Sequence, residues 1–163
     1  MDKALFQQLN QVYAPLHGRA RRLTQALAQK GVEASWGWYA SHSVRVDGAY
    51  QTEEFPIPVV EAAGLCEIGL DLDGCWLEFQ LPRAAALAFD WGALPEGFEV
   101  YGVEQYLTDF YTAGMDRAGI AGRIMESTEQ AVNAALFFPP DVEDEALLSA
   151  AGDCRRWKGG SQL

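Results

Sequence analysis

Histidine is scarce in this chain of 163 residues: His17 and His42 are the whole supply. Two imidazoles limit histidine-based metal sites and leave one well-placed general-base candidate, His42. The glycine-rich phosphate loop ending in Gly-Lys-Ser/Thr is missing, as are G-x-G-x-x-G, H-E-x-x-H, C-x-x-C and G-x-S-x-G. Without them, the sequence offers no signature of nucleotide binding, zinc proteolysis, dithiol exchange or a nucleophile elbow. Nowhere do 18 apolar residues run together, so no membrane-spanning helix is expected. The start, "MDKALFQQLNQ", lacks the apolar core of a signal peptide. The three cysteines follow no close pairing pattern, which fits a reducing compartment. A cytoplasmic protein with no cofactor and no membrane partner is the expectation.

The composition is that of a globular chain, 49% hydrophobic and 21% charged. No repeat or long linker divides it, so residues 1–163 are expected to form one domain. Residues 1–30 would be an N-terminal helix suited to dimerisation, and 158–163 a frayed tail. Net charge is −11, but it is segregated. Residues 1–45 carry +4, residues 46–153 carry −18, and the last ten carry +3. An acidic body repels phosphates and argues against direct nucleic-acid binding. The basic ends are expected to pack on that body or on a second subunit.

The densest stretch is "CEIGLDLDGCWLEFQL", residues 66 to 81. Asp73-Gly74 is a strong two-residue hairpin signal. With those two as the loop, Leu72 pairs with Cys75, Leu70 with Leu77, Ile68 with Phe79 and Cys66 with Leu81, all on one apolar face. The other face pairs Asp71 with Trp76, Gly69 with Glu78 and Glu67 with Gln80. Cys66 and Cys75 then sit about 20 Å apart at ~3.4 Å per residue. They can form neither a disulfide nor a shared metal site within the hairpin. Glu67, Asp71 and Glu78 share the polar face, whose bland reading is a solvated surface. Trp76 on that side suggests that something covers it.

Elsewhere, apolar residues at Leu5, Leu9, Val12, Leu16, Ala20, Leu23 and Leu27 predict a helix over about 3–29. Asp2 would cap it, Lys30-Gly31 would stop it, and Pro15 would kink it or split it in two. Arg19, Arg21 and Arg22 form its basic cluster, read as solvated or salt-bridged. Residues 33–48 read as one or two strands, with Trp36 and Trp38 on one face. Residues 54–62 read as an extended segment that Pro56 and Pro58 confine to an edge or a strand end. Pro82 would open a short helix, a strand is expected near 98–103, and a helix over "EQYLTDFYTAG" is expected to end at Gly114. "GRIMES" (122–127) reads as a strand. Ser127 with Gln130 fits a capping box for a helix in "TEQAVNAALFF", though the run also suits a strand. Residues 141–158 read as a helix with acids first and bases last, Gly152 being a blemish.

The expected fold is therefore α+β: an antiparallel sheet around the 66–81 hairpin, with the N-terminal helix and the C-terminal helices packed mainly on one face. The leading functional expectation is a non-catalytic interaction module, homodimeric through Leu9 and Leu16 or through the surface carrying Trp36, Trp38 and Trp76. The alternative is a small enzyme or ligand-binding protein whose pocket uses His42, Glu67, Asp71 or Glu78 with the aromatic rings. It predicts that at least two of those four converge. A minor alternative is an acidic mimic of nucleic acid. Cys154 beside Arg155 and Arg156 is pulled towards a lower pKa by those charges and towards a higher one by the helix C-terminus. Substrate, partner and pathway are not written in the sequence.

Overall fold

The computed structural model describes residues 2–41, 44–46, 49–51, 55–88, 98–102 and 131–158. Within them the order is α1 (Lys3–Gln29), β1 (Ala34–Ser41), β2 (Val44–Val46), β3 (Ala49–Gln51), β4 (Phe55–Ala62), β5 (Cys66–Leu70), β6 (Cys75–Pro82), α2 (Arg83–Ala88), β7 (Phe98–Gly102), β8 (Ala131–Phe138) and α3 (Asp144–Trp157). Six strands make one antiparallel sheet in the order β1-β4-β5-β6-β8-β7, and β2 and β3 pair separately. The expected α+β architecture is the observed one. His42, the expected helix over 104–114, the 122–127 strand and the Ser127–Gln130 box lie outside the described residues.

The start of α1 is fixed by Asp2, whose Oδ1 accepts from the Ala4 N–H at 2.9 Å. The helix runs through Pro15 as a single element. It closes where Gly31 takes φ +80° and the Val32 N–H reaches back to the Leu27 carbonyl at 3.0 Å. The apolar stripe holds, except that Tyr13 is buried in place of Val12, which is 37% exposed.

One cross-strand row explains where the helices sit. Trp36, Val60, Ile68, Leu77 and Leu136 stand opposite one another on successive strands. Against that face pack Ala20, Leu23 and Leu27 of α1, Ala86 of α2, and Leu147, Ala151 and Cys154 of α3. Each fully buried Leu or Ile here contributes roughly 1.5–3 kcal/mol. The N-terminal half of α1 continues past the tip of the β5–β6 hairpin. There Leu9 and Tyr13 close a second core with Phe55 and Ile57, and Leu72 and Trp76 pack against it. This is what covers Trp76.

One sequence expectation is corrected and one open alternative is settled. The hairpin reverses over Leu72 and Asp73, one residue earlier than expected. The Asp71 N–H donates to the Gly74 carbonyl at 3.0 Å, and Leu70 pairs with Cys75, Ile68 with Leu77 and Glu67 with Glu78. Moving the turn by one residue moves every partner by two, a whole side-chain period, so the two faces survive while the partners change. The reason lies outside the hairpin. Gly74 does not take the left-handed φ that the expected turn needs; instead, a Cβ there would come within 2.6 Å of the Phe138 carbonyl on β8.

The run 131–138, which the sequence left open between helix and strand, is a strand. It lies between β6 and β7 and buries Val132, Ala134 and Leu136 at period two, so pairing on both sides overrides its alanine-rich helix propensity. The prolines behave as expected. β4 is an inner strand, but its pairing with β5 spans only Val59–Ala62, and the half carrying Pro56 and Pro58 pairs with β1 alone.

Arg19 joins the ends of the chain. Its side chain is 11% exposed; Nε donates to Asp144 Oδ1 at 2.8 Å and Nη2 donates to the Val142 carbonyl. Nη1 donates to the Cys75 sulfur at 3.4 Å. Arg22 adds an exposed contact to the same carboxylate at 3.4 Å. The basic helix thus packs on its own acidic body.

Candidate functional site

The face of the sheet turned away from the helix core carries a row of like charges. Ser35 is opposite Glu61, Glu61 is opposite Glu67, and Glu67 is opposite Glu78. Strands in a sheet lie about 4.8 Å apart, so three carboxylate-bearing residues are spaced at that interval across β4, β5 and β6. Like charges placed directly opposite are destabilising on their own. Glu61 and Glu67 are exposed, and Glu78 is half-buried.

Two cavities open on this row. One, of about 310 Å³, is bordered by Glu61, Glu67, Glu78, Gln80, Asn133 and Lys158. The other, of about 240 Å³, is bordered by Ser35, Gly37, Tyr39, Val59, Glu61 and Glu67. They share Glu61 and Glu67, and so form one acidic cleft with two arms. The second arm is open over Gly37, where an added Cβ would meet nothing within 4 Å. Its rim is aromatic: Tyr39, 56% exposed, meets Trp76 edge-on with ring centroids 6.2 Å apart. Trp76 in turn lies flat over Gly69, its cross-strand partner.

Of the four residues named by the catalytic alternative, Glu67 and Glu78 do converge. Asp71 does not join them. It sits at the hairpin tip, where its Oδ1 accepts from the Leu72 N–H at 2.7 Å and from the Tyr13 hydroxyl at 3.0 Å. Burial raises its pKa, against the two hydrogen bonds. His42 lies outside the described residues. Sequence reading missed Glu61. Its signal was the turn at residues 63–65, where Gly64 takes φ +73° and Ala62 pairs with Cys66, which sets Glu61 against Glu67.

The tryptophans do not share one surface. Trp36 and Trp38 are on the helix side, with ring centroids 5.3 Å apart, and His17 lies against them at 6.2 and 4.8 Å. Trp76 is on the cleft side. Burial, then Arg21, lowers the His17 pKa, and its Nε2 is enclosed without a hydrogen-bond partner. Leu9 is fully buried within the chain and Leu16 is half-buried, so Leu9 has no surface to offer a second subunit.

All three cysteines are buried thiols. Hydrogen bonding with Cys66, together with burial, pushes the Cys154 pKa well above the ordinary value. Arg155 and Arg156 do not activate it. Among the described residues, no group of three or more His, Cys, Asp or Glu side chains is arranged to hold a metal ion. Among them too, no helix is long and apolar enough to cross a membrane.

The fold and the cleft together define the chain as an α+β protein with helices on one face of a six-stranded antiparallel sheet and an acidic cleft on the other. It is similar in structure to a conserved hypothetical protein from Pyrococcus furiosus, with a TM-score of 0.69 and 19% identity, over 98% of this chain and 99% of that one. That likeness is one of fold. No protein-family description and no curated protein matches the sequence.

Proposed function

We propose that this chain is a non-catalytic binding module whose acidic cleft takes a positively charged organic group. The observation that carries the reading is the direct opposition of Glu61, Glu67 and Glu78 on three adjacent strands beside cavities of molecular size. A cation between Glu61 and Glu67 would offset the repulsion of those two directly opposed carboxylates. The Tyr39 ring, which is 56% exposed and lines the smaller arm, offers the kind of π-face that organic cations favour. The −18 carried by residues 46–153 would draw such a ligand in from solution.

The test is calorimetric titration with spermidine at low and high salt. Saturable binding that weakens with salt is expected, and Glu67→Gln and Glu61→Gln should each weaken it by about tenfold. Absence of saturable binding, or undiminished binding by the double variant, sinks the reading.

A second reading, a homodimer through α1, is favoured by Phe6 and Val12, whose apolar side chains are 43% and 37% exposed. Native mass spectrometry of the wild type and of Phe6→Glu decides it: a dimer that becomes a folded monomer supports the contact, and an unchanged mass removes it.

A further inference from the structure

Two glycines stand in one cross-strand row on the cleft face: Gly37 of β1 is opposite Val59, Val59 is opposite Gly69, and Gly69 is opposite Trp76. Their surroundings differ. The place of a side chain on Gly69 is taken by the six-membered ring of the Trp76 indole, whose atoms come within 2.0 Å of where a Cβ would lie. The same place on Gly37 has no protein atom within 4 Å. Nor does the backbone require glycine there, because the φ of Gly37 lies outside the left-handed region. A glycine inside a strand often marks where a ligand or another group approaches the backbone closely. At Gly69 the chain supplies that group itself; at Gly37 it supplies none.

The bare backbone of Gly37 borders the smaller arm of the cleft, of about 240 Å³. Tyr39, two residues along β1 on the same face and 56% exposed, stands on one side of it. Half-buried Val59 stands across from it. Glu61 is its diagonal neighbour on β4, and such neighbours lie ~7–8 Å apart. Beyond Glu61 is Glu67, directly opposite.

We propose that this arm is a subsite for a planar aromatic ring, so that the ligand of the cleft is an arylalkylamine. The ring lies on the Gly37 backbone against Tyr39 and Val59, as the Trp76 indole lies on Gly69. A short alkyl chain then carries the ammonium to Glu61 and Glu67. The inference rests on the cation-binding reading and narrows it: an aliphatic polyamine answers the carboxylates but leaves the floor at Gly37 uncovered, whereas a ring buries its apolar face there as well.

Calorimetric titration of the full chain with tryptamine, n-propylamine and spermidine tests this. Tryptamine is expected to bind at least about tenfold more tightly than propylamine, which carries the same charge without the ring. Gly37→Val fills the floor and should weaken tryptamine by about tenfold while leaving spermidine affinity unchanged, and Gly37→Ala should do so in part. Equal affinity for tryptamine and propylamine, or tryptamine binding that Gly37→Val leaves intact, overturns the aromatic subsite even where spermidine still binds and the cation reading stands. If spermidine also fails to bind the wild type, the cation reading falls and this inference falls with it. The wild-type comparison reports without any variant, so a poorly folded Gly37→Val cannot leave the question open.

Discussion

Gly69 faces Trp76 across β5 and β6, and the indole occupies the space where a side chain on residue 69 would begin: an added Cβ would lie 2.0 Å from the ring. A glycine inside a strand usually marks such a close approach. Gly69→Ala is therefore expected to expel Trp76 from its seat, separate it from Tyr39 and destabilise the chain by about 1–3 kcal/mol. Tryptophan fluorescence and urea unfolding measure both effects. An unshifted emission spectrum with unchanged stability would refute the packing argument.

Arg19 and Arg22 reach the same carboxylate of Asp144 from very different surroundings, with side chains 11% and 63% exposed. Arg19→Ala leaves a partly buried carboxylate, the Val142 carbonyl and the Cys75 sulfur without their shared donor, and a loss of about 3 kcal/mol is expected. Arg22→Ala should change stability by less than about 1 kcal/mol. Equal effects in chemical denaturation would contradict the assigned roles.

Burial disfavours the charged form of Asp71. Burial raises its folded pKa, so its contribution to stability is fully present below the unfolded value and is lost as pH rises through the folded one. Asp71→Asn retains an acceptor for the Leu72 N–H and the Tyr13 hydroxyl without the charge. At pH 7 it should be as stable as the wild type or more so, by up to about 1 kcal/mol, with the advantage shrinking towards pH 4. Asp71→Ala removes the acceptor as well and should lose about 1–2 kcal/mol. Urea midpoints at the two pH values separate the cases.

His17 titrates with the opposite sign. Its folded pKa is lowered by burial and then by Arg21, so the stability it confers is present above the ordinary histidine value and is lost as pH falls through the folded one. His17→Phe keeps a ring against Trp36 and Trp38 but carries no proton. The decline in stability between pH 7 and pH 5 should be shallower in this variant than in the wild type. Parallel declines would show that His17 does not drive it.

Local chemistry made much of this protein legible in its sequence. Asp2, Gly31 and the 3.6-residue apolar period bounded α1, because caps and amphipathic spacing act within a few residues of one another. Period-two alternation assigned both faces of the 66–81 hairpin correctly even though the turn was misplaced, since an error of two in register returns each side chain to its own face. Only the tertiary structure decided the rest. Whether 131–138 became strand or helix depended on two neighbouring strands far away in sequence. The register that aligns Glu61 with Glu67 and Glu78 and the burial of Arg19 both join residues on separate elements. Such contacts are set by which surfaces the core brings together, and no spacing along the chain encodes that meeting.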